Sequence, residues 1–182
     1  STPSVTVYAA GATGNATPTA TISGANTGLN GPTGITLDAS GKIYVANFST
    51  PSVTVYAAGA TGNAAPTATI TGASTGLNNV EGIAVDASGK IYVANRNGNS
   101  VTVYAAGATG NVAPTATISG GNTGLNGCEG IALDAAGKIY VANAGAASVT
   151  VYAAGATGNV APSATIGGAN TGLTFPNGVA VH

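Results

Sequence analysis

The sequence predicts an all-β protein made of a repeated unit of four short strands. A 48-residue segment recurs along the whole chain, and each copy holds short runs of β-branched and small apolar residues separated by Gly/Asn-rich turns. The repeat is most visible in the peptide SVTVY, which begins at Ser4, Ser52, Ser100 and Ser148. A period of about 20–50 residues is typical of repeat architectures, in which one unit cannot bury its apolar surface alone.

Each unit contains four strand-like segments in a fixed order. In the first copy Val5–Ala9 alternates β-branched and aromatic residues, and Thr17–Ser23 follows after a turn that contains two glycines. A Gly/Asn-rich loop then leads to Gly34–Asp38, and a tight DASGK turn leads to Lys42–Asn47. No stretch shows sustained helical periodicity, so all four segments are interpreted as strands.

Four short strands in every 48 residues, joined by turns, are typical of one blade of a β-propeller. A blade packs between two neighbours, so its strands become nearly continuous small apolar runs such as GIALD and KIYVA. A parallel β-helix is the alternative repeat fold, but its coils are usually shorter and lack tight Asp-x-x-Gly hairpins. We therefore predict a β-propeller of 48-residue, four-stranded blades, about four in this chain, with the last one incomplete.

The repeat divides the chain into units 1–48, 49–96, 97–144 and 145–182, which together form a single repeat domain over residues 1–182. The chain begins with two outer strands and ends on an expected inner strand, Gly178–His182. The closing blade then lacks one strand, and unpaired strand edges favour association with other copies of the chain or with adjoining repeats. His182 is expected to be a frayed end rather than a ligand, because it is the only histidine.

Composition argues against several classes of partner. Charged residues make up 5% of the chain, against about 25% in an ordinary soluble domain, and the net charge is −1. Phosphate backbones attract basic surfaces, so no nucleic-acid partner is expected. The apolar runs are far shorter than the roughly 20 residues that span a bilayer, so no membrane insertion is expected. Sparse charge and turns rich in Thr, Asn and Gly favour an extracellular or cell-surface location.

Two motifs resemble known propeller repeats. Residues 32–38, PTGITLD, followed by GKIYVAN at 41–47, are similar to the NHL repeat. The pair YVAN and SVTVY is similar to the YVTN-type repeats of surface proteins, and the likeness extends over the whole chain. The resemblance implies that GITLD is the innermost strand a, with KIYVAN, SVTVYA and TPTATIS following outwards as strands b, c and d. It also implies a binding scaffold more often than an enzyme.

Differences between the copies lie at one face of the predicted disc. The turn after strand c, AAGATGN, is identical in all four units, whereas the b–c and d–a loops differ. Alternate connections of a meander emerge at the same edge, and we call the edge with the differing loops the variable face. Loops on a rigid scaffold often carry binding, so this face could hold an unknown protein or glycan ligand; drift of weakly constrained loops is the alternative. The candidate binding residues are Thr33, Phe48, Glu81, Arg96, Asn97, Asn99, Glu129, Phe175 and Asn177.

Carboxylates at the expected channel mouth allow a second hypothesis. Glu81 and Glu129 each precede the glycine of strand a, and Asn177 holds the same place in the last unit. Certain lactonase-type propeller hydrolases hold a divalent cation at this place with oxygen ligands, which suit a hard ion such as Ca²⁺. The three residues mimic part of that arrangement, although the ligand motifs of that family are not recognisable in this sequence. No His or Asp accompanies the set as a general base, and no other catalytic motif is discernible. We therefore expect a non-catalytic scaffold without a cofactor; a metal-dependent, lactonase-like hydrolase is the alternative.

Two recurrent positions are predicted to be structural. The tyrosines that end SVTVY are expected to be half-buried between blades, with each hydroxyl reaching an edge or water; a ring of sugar-binding aromatics is the alternative. These residues are Tyr8, Tyr56, Tyr104 and Tyr152. The Asp and Lys of each DASGK-type turn are expected to form the hairpin and a weak surface ion pair.

Overall fold

The computed structural model describes residues 2–181, so Ser1 and the expected frayed end at His182 lie outside the described part. Within it, the strands form three four-stranded sheets and one two-stranded sheet, all antiparallel. Antiparallel pairing of consecutive strands is the meander of a propeller blade, and a parallel β-helix is therefore excluded. The prediction of an all-β propeller chain is confirmed.

Each four-stranded sheet is one blade, and its strand order follows the chain order. The two-stranded N-terminal sheet contains β1 (Ser4–Val7) and β2 (Ala20–Ser23). The first blade contains β3 (Pro32–Leu37), β4 (Ile43–Asn47), β5 (Ser52–Tyr56) and β6 (Ala68–Thr71). The second contains β7 (Val80–Val85), β8 (Ile91–Asn95), β9 (Ser100–Tyr104) and β10 (Ala116–Ser119). The third contains β11 (Cys128–Leu133), β12 (Ile139–Asn143), β13 (Ser148–Tyr152) and β14 (Ala164–Gly167). Short 3-10 turns lie at Ala73–Thr75, Ala144–Ala146 and Ala169–Thr171.

Several strand boundaries differ from the sequence prediction, two of them by two residues or more at the start of the strand. Strand a begins two residues earlier, at Pro32 in the first blade, and a bulge separates the pair Pro32–Asn47 from the pair Ile35–Val45. Strand d is shorter and begins at Ala20 rather than Thr17. Pro18 has no N–H to donate to a ladder, which explains why regular pairing starts only beyond it.

The core lies between the blades. All five residues of β4 and all five of β5 are buried, as expected for strands covered on both faces. Between the first and second blades, Val55 and Ile70 of one sheet pack in the same cluster as Ile83 and Tyr104 of the next. Equivalent clusters fill the neighbouring junctions, so each blade is stabilised mainly by the blades beside it.

The ends of the chain do not form a closed blade, as expected from the strand that the closing blade lacks, but the predicted inner strand is absent from the described residues. Residues 178–181, the described part of the expected inner strand Gly178–His182, are not in a strand, and β1 pairs only with β2. Among residues 2–181, no ladder hydrogen bonds join this last segment to β1. The sheets therefore do not close into a ring. None of the helical segments in residues 2–181 is long and apolar enough to cross a membrane.

Candidate functional site

The beginnings of the inner strands meet at the variable face. Thr33, Glu81, Glu129 and Asn177 occupy the same position in successive units, and all four line one pocket of about 200 Å³. The structure thus brings together four of the residues that the sequence singled out, including the set considered for Ca²⁺. The five remaining candidates do not line this pocket.

Glycine at the next position lets these strands approach closely. A Cβ atom added to Gly34 would collide with the carbonyl oxygen of Glu81, and one added to Gly82 would collide with the carbonyl oxygen of Glu129. The Thr33 hydroxyl donates across the same gap, at 3.0 Å from the carbonyl oxygen of Val80. The backbone of each unit therefore holds the next one in register and fixes where the two carboxylates project.

An ion pair joins two blades at this site. Arg96 Nε lies 2.9 Å from Glu129 Oε1, and the two side chains are 40% and 12% exposed, respectively. Arg96 belongs to the b–c loop of the second blade, whereas Glu129 belongs to β11 of the third. It is the only ion pair within residues 2–181. Because Glu129 is largely buried, salt screens this contact less than it screens a fully solvated surface pair.

Glu81 is the carboxylate at the site that this arginine does not bind. Burial raises the pKa of Glu81 above its usual range, and the charge of Glu129 raises it further, while Arg96 opposes both effects. The side chain therefore carries a charge that its surroundings only partly compensate. Such a group readily takes up a proton, a cation or a hydrogen-bond donor from a ligand.

The residues present fit a resident divalent cation poorly. Glu81, Glu129 and Asn177 share the pocket, but one carboxylate oxygen of Glu129 is already engaged by Arg96. Residues 2–181 contain no cluster of three or more His, Cys, Asp and Glu side chains that could hold a metal ion. Ca²⁺ takes about 6–8 oxygen ligands, so two carboxylates beside a bound guanidinium supply too few.

The other candidate binding residues do not line the pocket and have different environments. Asn99 has a left-handed backbone, φ 43°, and its Oδ1 accepts a 2.7 Å hydrogen bond from the N–H of Gly127 in the following blade. The Phe48 N–H donates to the carbonyl oxygen of Gly31, which ties two loops of the variable face together. Asn97 is exposed, and Phe175 is 54% exposed. Some of these loop residues thus serve blade packing, whereas Asn97 and Phe175 are free to meet a ligand.

A buried asparagine that sequence reasoning passed over anchors the variable loops. Asn47 is fully buried, and its Nδ2 donates to Thr54 Oγ1 at 3.2 Å. Its Oδ1 accepts a 3.0 Å hydrogen bond from the N–H of Asn30 in the preceding d–a loop. Asn95 and Asn143 repeat this arrangement. The available signal was an invariant polar residue at the end of the apolar run IYVAN.

The recurrent tyrosines are more deeply buried than predicted. Tyr56, Tyr104 and Tyr152 are at most 1% exposed, and their hydroxyls donate to the carbonyl oxygens of Thr27, Thr75 and Thr123 at 2.6–2.7 Å. Tyr8 differs and is 50% exposed. The three buried rings therefore cannot be sugar-binding platforms. The expectation of half-buried tyrosines was wrong because each connecting loop folds over the ring and supplies its hydrogen-bond acceptor.

The aspartates of the a–b turns form the hairpins as expected, but without the predicted ion pairs. Asp38 Oδ1 accepts hydrogen bonds from the backbone N–H groups of Ser40 and Lys42, at 2.9 and 3.0 Å, and Oδ2 accepts one from the Tyr44 hydroxyl at 3.0 Å. The Ser40 hydroxyl is the largest of the contacts that lower the pKa of Asp38. Within residues 2–181 no Lys ammonium pairs with these aspartates, because the backbone and hydroxyl donors already hold the carboxylate.

Comparisons with known proteins identify the repeat. The family model of the NHL repeat matches residues 77–104, which include most of the second blade. The chain carries an NHL repeat. The resemblance to NHL-type propellers is therefore confirmed at the residues where the family model applies. No curated protein matches the chain.

Solved structures show the same fold at low sequence identity. The chain is similar to hydrazine synthase of Kuenenia stuttgartiensis, with 24% identity and a TM-score of 0.54 over 72% of this chain and 35% of that chain. A Lactobacillus plantarum protein gives 19% identity and a TM-score of 0.55, covering 80% and 45%. Virginiamycin B lyase from Staphylococcus aureus gives 12% and 0.50, covering 87% and 47%. The chain thus spans less than half the length of each of these structures, and the likeness concerns the fold alone.

Proposed function

We propose that this NHL-repeat chain is a non-catalytic, extracellular or cell-surface β-propeller scaffold that binds a polar ligand at its variable face and takes part in structural assembly. The observation that carries the binding role is the pocket where the inner strands meet. The constant segments of the repeat pack within and between blades, whereas Glu81, Arg96 and Asn177, which differ between units, lie together at one surface.

The chemistry of this surface favours a hydroxyl-rich ligand such as a glycan. Arg96 has several N–H donors, and only its Nε is engaged by Glu129 while the side chain is 40% exposed. Glu81 offers acceptor oxygens, and the exposed amides of Asn97 and Asn177 offer both donors and acceptors. A surface of mixed donors and acceptors with little net charge suits neutral polar groups better than phosphates. The low charge of the chain and its polar, uncharged turns support the proposed location.

A glycan microarray tests the binding role. We expect the chain to bind a subset of defined oligosaccharides, and the double variant Arg96→Ala/Asn97→Ala to lose that binding. The matched control is Lys90→Ala, because Lys90 is exposed and lies in the a–b turn of the same blade, at the opposite face. Equal binding by the double variant, or equal loss with Lys90→Ala, would contradict the assignment to the variable face.

A metal-dependent, lactonase-like hydrolase is the second candidate function, because Glu81, Glu129 and Asn177 share one pocket. Calorimetric titration with Ca²⁺ or Mn²⁺, before and after the change Glu81→Gln/Glu129→Gln, separates the two functions. The scaffold proposal expects no saturable heat in either protein. Tight binding that disappears in the double variant, together with turnover of a simple lactone, would favour the enzyme.

A further inference from the structure

Neighbouring blades are joined at the rim by one backbone contact that recurs three times. Strand d of each unit meets the AAGATGN turn of the next unit, in isolated parallel bridges that pair Ile22 with Gly62, Ile70 with Gly110 and Ile118 with Gly158. At the first bridge the Gly62 N–H donates to the carbonyl oxygen of Thr21 at 2.6 Å, and the Ser23 N–H donates to the carbonyl oxygen of Gly62 at 2.9 Å. We call this set of contacts the rim junction.

Side chains complete each rim junction. Asn63 Oδ1 accepts a 2.8 Å hydrogen bond from the N–H of Asn26, and Asn111 and Asn159 do the same for the following units. The central isoleucine of strand d is fully buried at all three junctions. The buried tyrosine described above lies beside it and donates to the carbonyl oxygen of a threonine that is 1% exposed. Backbone, amide, hydroxyl and apolar contacts thus all recur together.

The C-terminal edge presents one half of a fourth rim junction. Ile166 of β14 is 54% exposed, although its counterparts Ile22, Ile70 and Ile118 are 0% exposed. Thr171 is exposed where its counterparts are buried. Gly168 has a positive φ of 101°, as do the equivalent glycines of the preceding units. A Cβ atom added to Gly24 would meet the side chain of Asn63, but nothing lies within 4 Å of a Cβ atom added to Gly168. The C-terminal edge therefore has the groups that bind an AAGATGN turn at the other junctions, but it contacts no such turn.

The N-terminal edge presents the other half. Residues 9–15 have the sequence AAGATGN, which in the other units forms the turn that is hydrogen-bonded to strand d of the preceding unit. Tyr8 stands directly before this turn and is 50% exposed, although its three counterparts are at most 1% exposed. Asn15 is exposed and corresponds to Asn63. The two edges are therefore the matching parts of a contact that the chain already makes three times.

We propose that the C-terminal edge of one copy of this chain binds the N-terminal edge of a second copy, head to tail, through a fourth rim junction. By equivalence, the Gly14 N–H donates to the carbonyl oxygen of Thr165, Asn15 Oδ1 accepts from the N–H of Asn170, and the Tyr8 hydroxyl donates to the carbonyl oxygen of Thr171. Ile166 becomes buried at the centre.

The second copy is the occupant that the observations favour, because each edge matches the other at every recurrent position. The junction uses strands c and d and the turn between them, so it does not need the strand b that is missing beside β1. The net charge of −1 offers little repulsion between copies. Different edges meet in this contact, so it is heterologous and produces a ring or a filament according to whether the rotation closes. The inference extends the assembly part of the proposed function and does not involve the variable face.

Complementary blocked variants test the head-to-tail geometry. Light scattering on the wild-type chain should show species larger than the 17.0 kDa monomer. Tyr8→Arg blocks one edge and Ile166→Arg blocks the other, so each variant alone should be monomeric. An equimolar mixture retains one intact junction and should form a discrete heterodimer. The matched control is Ala136→Arg, which adds the same charge at an exposed turn position outside both edges and should assemble like the wild type.

Specific outcomes would overturn the proposal. A monodisperse wild-type monomer at high concentration would exclude the junction between copies. Continued assembly of either single variant would indicate contact between like edges or through another surface. The absence of a dimer in the mixture would exclude the head-to-tail pairing of the two intact edges. Both substituted side chains are half exposed, so the fold should tolerate the changes.

Should either of the two arginine variants fail to fold, Asn15→Ala provides a milder test. It removes only one amide acceptor and should weaken association roughly two- to tenfold. Unchanged association in that variant would also count against the proposal. Glycan binding measured in parallel keeps this test separate from that of the variable face.

Discussion

Replacement of Tyr104 by Ala should destabilise the protein strongly, whereas the same change at Tyr8 should do little. The Tyr104 ring is fully buried between the second blade and its connecting loop. Its hydroxyl donates to the carbonyl oxygen of Thr75 at 2.7 Å and lies 3.1 Å from Thr102 Oγ1, from which it can accept. Tyr8 is the same residue in the same motif, but it is 50% exposed. The pair therefore isolates burial and hydrogen bonding from residue identity.

The expected magnitude follows from the two contributions at Tyr104. Truncation of a large buried aromatic side chain costs about 3–5 kcal/mol of unfolding free energy. Within this, the buried carbonyl oxygen of Thr75 loses its donor, and an unsatisfied buried polar group costs about 1–3 kcal/mol. The variant Tyr104→Phe keeps the ring and should show only that second part. For a domain of this size, the loss in Tyr104→Ala corresponds to a Tm lower by roughly 6–20 °C.

Urea denaturation monitored by circular dichroism measures these differences. Tyr104→Ala should shift the midpoint far below the wild type, Tyr104→Phe should be intermediate, and Tyr8→Ala should stay within about 0.5 kcal/mol of the wild type. The measurement is made at low protein concentration, so that association between copies does not add to the apparent stability. Equal losses at Tyr104 and Tyr8 would refute the argument from burial.

Three further predictions concern charge, close approach and pH. Glu81→Gln should raise the free energy of unfolding at pH 7 by less than about 1 kcal/mol, because burial and the charge of Glu129 disfavour the charged form of Glu81. The gain should vanish below pH 4.5, where the wild-type carboxyl is protonated in both the folded and the unfolded state. Urea denaturation midpoints at the two pH values measure the difference. Gly82→Ala should cost about 1–3 kcal/mol in thermal unfolding because its Cβ meets the Glu129 carbonyl oxygen, and Gly121→Ala, with open space around its Cβ, should be nearly neutral. Burial raises the pKa of Tyr104 from 10.0 to about 12. The stability that depends on the protonated hydroxyl is therefore present below pH 10 and is lost as the pH rises towards 12. Absorbance titration at 295 nm follows the ionisation, and Tyr104→Phe is the control.

Repetition made the fold predictable from sequence. The four strands, their order and the Asp-x-x-Gly hairpins recur in copy after copy, so each local signal was seen several times and agreed with the period. Strand ends were less accurate: β3 starts at Pro32 because a bulge extends its pairing beyond the predicted Gly34. The depth of the tyrosines was also missed, since the acceptor for Tyr56 is the carbonyl of Thr27, 29 residues away along the chain. The residue pattern of one strand does not indicate which distant residue will accept its hydrogen bond.

The candidate site was predictable in position but not in its contacts. Equivalent positions in a meander emerge at the same edge, so the sequence alone places Thr33, Glu81 and Glu129 at one face. That Arg96 would bind Glu129 rather than Glu81 depends on the direction in which its loop leans towards the next blade. The sequence has no signal for that direction.

The same repetition that reveals the fold also separates structural from functional positions. Between complete neighbouring blades, each recurrent polar group has a recurrent partner: Asn47 binds the loop at Asn30, Asp38 binds its own hairpin, and Asn63 binds the preceding rim. A residue needed at every blade junction must be the same in every copy, so invariance within the chain marks packing rather than recognition. Function is then to be sought where the copies differ, as at Glu81, or where a recurrent group lacks its recurrent partner, as at the exposed Ile166. The first kind of position lies at the variable face and the second at the two edges, which is why we assign ligand binding to one and self-assembly to the other.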